Sequence, residues 1–301
     1  MKIIFFGTPD FAVPSLQKIF KSKHQVAAVV TAPDKQRGRG RKVSFTAVKQ
    51  YAVENNLPVL QPKDFTDGEF INQLKSFNAD LFVIVAFRIL PEKVFTIPPK
   101  GSFNLHGSLL PKYRGAAPIQ WALIKGEKQT GVTTFFLKKK VDTGNLILQK
   151  RIEIQSFDNL GTLHDKMSIA GANLVLETID LIDIGEVKEF IQDNSLSSSA
   201  PKINKEICRI NWKEKSANEI HNLIRGISPF PGAFFEHNNK IYKVYKSQIL
   251  TEKQLASGEI KQTKTQLFVG TKLGTLEILE IQPEGRKRMK TEEFLRGYSL
   301  L

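Results

Sequence analysis

Cysteine is almost missing from this chain: Cys208 is the only one in 301 residues. A single thiol makes no internal disulfide, so a disulfide-stapled secreted fold is excluded and the cytoplasm is the expected compartment. Cys208 lies between Ile207 and Arg209 with no cysteine neighbour, which suits a structural thiol rather than a nucleophile. Long apolar runs are missing too. Nothing approaches the roughly 18 consecutive apolar residues of a membrane-spanning helix. The opening stretch Met1–Gly7 is too short for a signal peptide, and Pro9 and Asp10 interrupt it. Acidic residues are in deficit, 30 against 44 Lys and Arg, for a net charge of +14. A basic balance of this size points to a polyanion, nucleic acid or a membrane surface, although many of the lysines are scattered. The first turn, Gly7-Thr8-Pro9-Asp10, lacks the Gly-x-Gly-x-x-Gly dinucleotide fingerprint, which argues against a nicotinamide cofactor. None of the five histidines (His24, His106, His164, His221, His237) forms a His-x-x-x-His pair, and no metal is expected.

What is present alternates. Mainly apolar stretches at 2–6, 26–30, 57–60, 81–86 and 102–105 read as strands. Helical periodicity falls between them at 11–20, 71–77 and 115–124, and again at 162–184. Residues 131–137 and 146–154 are β-prone. Strands alternating with helices predict an α/β fold, an open, doubly wound, mainly parallel sheet. Gly7, Phe87 and His106 then fall at carboxyl ends of strands, where such sheets bind ligands. The composition changes at 192–204, a serine-rich stretch ending near Pro201 that reads as a linker between domains spanning 1–191 and 205–301. Beyond it, a helix at 217–227 precedes five short β-prone runs (233–236, 240–245, 259–261, 266–270, 275–282). These predict a small OB-like β-barrel.

The chemistry concentrates in Phe103–Pro111. Asn104 and His106 are two residues apart, so in a strand they share a face. An amide NH₂ holds a developing oxyanion, and an imidazole holds it or moves a proton; the pair suits attack on a carbonyl carbon. Asp142, in Asp142-Thr143-Gly144, is the matching carboxylate, though the tripeptide is also a turn signal in its own right. Ser108, Leu109, Leu110 and Pro111 place two leucines beside the polar pair, either as core or as an exposed apolar wall for a flat heterocycle.

FNLHGSLLP at 103–111, RGAAPIQ at 114–120 and DTG at 142–144 resemble the folate-dependent formyltransferases. The likeness extends through GTPDFA (7–12), APDKQRGRG (32–40), GTLHDKM (161–167), APKINKE (200–206) and IRGISPFPGAF (224–234), nearly the whole chain. The resemblance implies a Rossmann-like transferase domain followed by an OB-like barrel. It implies 10-formyltetrahydrofolate as formyl donor and the α-amino group of methionyl initiator tRNA as acceptor, a step of translation initiation. It assigns catalysis to Asn104, His106 and Asp142, and folate contact to Ser108, Leu109, Leu110, Pro111 and Phe87. Around Phe87 the chain departs from the family pattern: Val85–Pro91 is one residue shorter.

The basic residues follow the same expectation. Between Asp34 and Lys42, Lys35, Arg37, Arg39, Arg41 and Lys42 face a single acid, and the resemblance places this loop, Arg39 above all, against tRNA. From residue 205 onward Lys and Arg number 17 against 11 acids. Lys243, Lys246, Arg286, Lys287 and Arg288 are the expected backbone contacts. A monomer is expected. The competing readings are another formyl-folate enzyme acting on a small amine, and an RNA-binding protein without catalysis.

Overall fold

Strand β1 (Lys2–Gly7) is apolar after its first residue, and Ile3 to Phe6 are fully buried. A strand hidden on both faces belongs inside a parallel sheet. In the computed structural model, which describes residues 1–37, 42–250 and 255–301, β1 is the third of seven strands. It pairs in parallel with β2 (Gln25–Val30) on one side. Between them the chain forms a short 3₁₀ turn and α1 (Val13–Phe20), opened by a proline in its first turn. A hairpin of β3 (Lys35–Arg37) and β4 (Lys42–Ser44) follows as a separate two-stranded sheet. Next come α2 (Ala47–Glu54), capped by the Thr46 hydroxyl, and β5 (Val59–Leu60), which pairs in parallel with β2 at the sheet edge.

The chain then reverses direction across the sheet. After α3 (Gly68–Ser76), capped by Asp67, β6 (Leu81–Val85) pairs in parallel with the other side of β1. A short α4 (Glu92–Phe95) leads to β7 (Ser102–His106), parallel to β6. After α5 (Pro118–Ile124), β8 (Gln129–Phe136) runs antiparallel to β7, and β9 (Leu146–Glu153) completes the order β5-β2-β1-β6-β7-β8-β9. The winding changes direction between β1 and β6, so the crevice beyond their carboxyl ends is where the fold binds ligands. One core cluster joins Ile4, Phe6, Val30, Phe82, Ile84 and Val94. Each such side chain contributes about 1.5–3 kcal/mol of burial. The long α6 (Leu160–Ile184) follows β9.

Contacts divide the chain into two compact units: Met1–Gly115, Thr130–Ile152 and His164–Ser199 make the first, and Ala116–Gln129, Glu153–Leu163 and Ala200–Leu301 the second. The second therefore includes two stretches that the sequence reading leaves with the first domain. The physical reason is apolar: Ile124 of α5 packs against the second unit's core, and α5 lies so close to α7 (Ala217–Gly226) that a Cβ on Gly226 would meet Ile124 at 2.7 Å. α7 opens with a capping box between Ser216 and Glu219. The strands β10 (Ala233–His237), β11 (Lys240–Leu250), β12 (Ile260–Gln262), β13 (Leu267–Gly270), β14 (Thr275–Pro283) and β15 (Met289–Lys290) form one antiparallel sheet, ordered β10-β11-β14-β13-β12 with β15 beside β14. Irregular register along β11 bends it into a half-barrel around Ile220, Ile224, Val244, Leu276, Ile278 and Phe294, the last from the closing α8 (Thr291–Leu295). No helix among the described residues is long and apolar enough to cross a membrane.

All five expected strands of this sheet are present; β15, α2, α4 and the β3–β4 hairpin are additions. The helix expected from residue 115 starts at Pro118, because Gly115 has a φ of +122° that no helix admits. Residues 192–199, linker-like in composition, are an ordered strap. Ser198 accepts backbone hydrogen bonds from Arg114 (2.8 Å, on its carbonyl) and from Tyr113 (2.9 Å, on its hydroxyl).

Candidate active site

The parallel strands β1, β6 and β7 end at Gly7, Val85 and His106, so the first unit gathers the expected site at one end of its sheet. Asn104 and His106 stand on the same face of β7. Asn104 is half-buried, and its amide has no hydrogen-bond partner among the described residues. His106 is 6% exposed. Its Nε2 lies 2.9 Å from the carbonyl oxygen of Tyr113, which only accepts, so Nε2 carries a proton. That leaves Nδ1 free of this bond, and it faces Oδ2 of Asp142 at 3.8 Å. A neutral ring would turn a lone pair toward a carboxylate there. A favourable contact at Nδ1 therefore needs a hydrogen between the two atoms.

Asp142 reaches this position through a tight turn between β8 and β9. Its φ is +54°, in the left-handed region that aspartate tolerates at a cost. Two residues on, a Cβ on Gly144 would stand 1.6 Å from the carbonyl oxygen of Phe136, so only glycine fits. The Thr143 hydroxyl closes the turn on the Lys140 carbonyl at 2.8 Å. The backbone N–H of Gly115 donates to Asp142 Oδ2 at 2.9 Å and fixes the carboxylate's direction. The sequence marks Gly115 only as a place of close approach; nothing in its spacing from Asp142 signals the bond.

The Ser108–Pro111 segment is held mainly by its own hydrogen bonds and by β8 and β9. The Ser108 hydroxyl donates to the Lys112 carbonyl at 2.6 Å. Leu110 is buried, and Leu109 is half-buried over Gly131. Leu110 thus packs inward, while Leu109 and Pro111 keep part of their surface exposed. Two residues the sequence reading missed hold this segment. The Thr133 hydroxyl donates to the Ser108 carbonyl at 2.6 Å, and Gln149 donates to the Leu110 carbonyl at 2.8 Å. Thr133 lies opposite His106 in the β7–β8 register, a signal visible only once the strands are paired. Phe87 stacks its edge on Phe6 and Phe65, both at 5.6 Å between centroids, in the first unit's core. Arg88 covers Phe65 at 4.3 Å and donates to the Pro62 carbonyl, and Ala86 takes a left-handed φ of +48° to make the shortened turn.

The expected tRNA contacts separate. Arg39 and Arg41 lie outside the described residues. Arg37 and Lys42 pair as strand residues across the β3–β4 hairpin. At its base the Lys49 ammonium, bonded to the Asp34 carboxylate, holds that carboxyl below its ordinary range, with Gln61 adding a second hydrogen bond. In the second unit Lys243 is half-buried and donates to the Pro231 carbonyl at 2.9 Å. Arg288 pairs with Glu280 and covers the Tyr245 ring at 4.5 Å. Lys246, Arg286 and Lys287 are exposed, without an ion-pair partner among the described residues. Cys208 is buried, its thiol donating to the Asn204 carbonyl, and burial pushes its pKa up.

A doubly wound sheet with an amide and an imidazole on one face of a strand, and a carboxylate 3.8 Å from that imidazole, suits a group-transfer enzyme. The sequence model described as Formyl transferase matches residues 1–179, and that described as Formyl transferase, C-terminal domain matches 202–299; the chain belongs to the formyl transferase family. Along its whole length it is similar to proteins named methionyl-tRNA formyltransferase. The Flavobacterium johnsoniae protein is 46% identical over 303 residues, covering 99% of this chain and 96% of its own. That of Clostridioides difficile is 45% identical, covering 100% of this chain and 98% of its own. Among solved structures, the sugar 3N-formyl transferase WlaRD, crystallised with dTdp and 5-N-Formyl-THF, superposes with a TM-score of 0.70 at 24% identity over 95% of this chain and 99% of that one. HypX from Aquifex aeolicus with tetrahydrofolic acid gives 0.66 at 17% identity over 99% of this chain and 48% of that one. These two show the shared fold.

Proposed function

We propose that this chain transfers the formyl group of 10-formyltetrahydrofolate to the α-amino group of methionyl initiator tRNA, in the cytoplasm and as a monomer. The observation that carries the reading is the unpartnered Asn104 amide on the same strand face as a His106–Asp142 pair 3.8 Å apart. The neutral amine attacks the formyl carbon, and charge develops on the formyl oxygen. The Asn104 amide donates to that oxygen; one such donor is worth on the order of 10²–10³ in rate. The attacking nitrogen becomes cationic and loses its proton to Asp142, directly or through water. His106, with Nε2 committed to Tyr113, offers Nδ1–H first to the oxyanion and then to the departing folate nitrogen. No covalent enzyme intermediate is required.

The donor is received at the end of β1, β6 and β7, where the 108–111 segment lends its ordered backbone and Phe87 forms part of the wall. The second unit supplies charge: Lys246, Arg286 and Lys287 with the basic hairpin hold the tRNA backbone largely without regard to sequence. The experiment is a formylation assay with 10-formyltetrahydrofolate and charged initiator tRNA, run beside charged elongator tRNA and a free amino sugar. Selective modification of the initiator is the expected result. Equal modification of both tRNAs removes the specificity, and modification of the sugar alone moves the chain to a small-molecule acceptor.

A further inference from the structure

Gln192 closes the strap that follows α6, at a position where composition suggests only a linker. It is 6% exposed and every polar atom of its side chain is used. Its Oε1 accepts from two nitrogens of the Arg114 guanidinium, Nη2 at 2.6 Å and Nε at 3.2 Å. A guanidinium only donates, so the amide has one orientation and its NH₂ must face the other way. There it donates to two backbone carbonyls of the site turn, Asp142 at 3.0 Å and Gly144 at 2.8 Å. Arg114 is itself held, its Nη1 donating to Asn194 Oδ1 at 2.9 Å and its backbone N–H to Ser198. The next residue, Gly115, is the one whose N–H holds the Asp142 carboxylate. Arg114 and Gly115 thus grip Asp142 from two sides, by its carboxylate directly and by its backbone through Gln192.

The requirement for this grip lies in the conformation. Tyr113, Gly115 and Asp142 all take left-handed φ values, +59°, +122° and +54°. Non-glycine residues there are each unfavourable by about 1–3 kcal/mol and persist only where neighbours over-determine them. Few side chains meet the demand. Glutamate lacks the two donors, lysine lacks the acceptor, and asparagine is shorter by one methylene.

We propose that Gln192, oriented by Arg114, is a positioning residue that sets the reach of Asp142 toward His106. The proposal rests on the reading of Asp142 as proton acceptor. A displacement of about 1 Å at a reacting group costs on the order of 10² in rate. In Gln192→Met both sets of bonds go; in Gln192→Glu the Arg114 contact stays but an anion replaces the donors under the two carbonyls. Both variants should lose about 10- to 100-fold in kcat. KM for donor and tRNA should stay within about twofold, since Gln192 is buried and its polar atoms are all engaged within the protein. Amide hydrogen exchange should quicken at 142–145 and not across the rest of the first unit. Combined with Asp142→Asn, Gln192→Met should cost nothing further, because the residue it positions is already disabled. An unchanged kcat in both Gln192 variants overturns the proposal. So does an equal fractional loss in the Asp142→Asn background, or a loss accompanied by faster exchange throughout the unit, which marks ordinary structural damage. Full activity of Asp142→Asn itself refutes the underlying reading, a result separable from the others because it appears before Gln192 is touched.

Discussion

At the end of β7 nearly every polar group is tied: His106 to Tyr113, Asp142 to Gly115, Ser108 to Lys112 and Thr133 to Ser108. In the second unit Lys246 on β11, and Arg286 and Lys287 in the turn between β14 and β15, are exposed with nothing holding their heads among the described residues. The difference follows from what each force demands. Under the proposed function, proton transfer and oxyanion stabilisation need closely placed atoms, which buried hydrogen bonds provide. Attraction between cations and phosphates falls off slowly and tolerates motion, so unheld cations would serve it, at the cost of being screened by salt. A single change should therefore be severe in the first region and graded in the second.

The largest effect belongs to Asp142→Asn. Formylation of charged initiator tRNA should fall by about 10²–10⁴ in kcat with the melting temperature preserved. Turnover near that of the native chain would undo the contrast at its strongest point. Asn104→Leu should lose about 10²–10³, in kcat more than in KM, because its amide meets charge that exists only in the transition state. A loss confined to KM would make Asn104 a binding residue instead.

The second region should respond in another quantity. Replacing Lys246, Arg286 and Lys287 by alanine should leave kcat at saturating tRNA unchanged. The slope of log affinity against log salt should become shallower by about one for each phosphate no longer neutralised. Identical slopes for native and triple variant would remove these three from the interface. The smallest effect lies in the α7 cap, where hydrogen bonds from the Ser216 backbone and hydroxyl, with Lys215 beside it, pull the Glu219 carboxyl from its ordinary 4.5 to about 2. A depressed carboxyl stabilises the fold above its unfolded value and stops doing so as pH falls through the folded one. Glu219→Gln should thus cost most above about pH 4.5, progressively less as pH falls toward 2, and nothing once it is well below 2. Exposure limits the difference to about 0.5–1 kcal/mol, read by denaturant titration at the two pH values.

Much of the first unit was legible in the sequence because apolar periodicity reports burial. The runs at 2–6, 26–30 and 81–86 became β1, β2 and β6 with shifts of one residue. Asn104 and His106 were legible as a pair because alternation along a strand is a local rule. The inward turn of Leu110 was not, since apolar residues beside a polar pair look alike whether they line a pocket or fill a core. Nor were Thr133 and Gln149, whose function depends on which strand lies opposite. The β3–β4 hairpin was hidden by its glycines and charges, which read as an open loop. Composition at residues 192–199 did not show the hydrogen bonds this stretch makes, for a related reason. Serines suggest solvent, yet here they satisfy the backbone of Tyr113 and Arg114.

Residue type and short-range spacing were enough to set the alternation of strand and helix, the polar pair on one face of β7, the glycine after Asp142 and the excess of positive charge. Folding in three dimensions was needed to choose which nitrogen of His106 faces Asp142, how Asp142 reaches it, that Gln192 and Arg114 hold that reach, and which cations stay unpaired. Those outcomes depend on single hydrogen bonds between residues tens of positions apart. A bond of that kind exists only when the folded backbone brings one donor to one acceptor, and spacing along the chain carries no record of it.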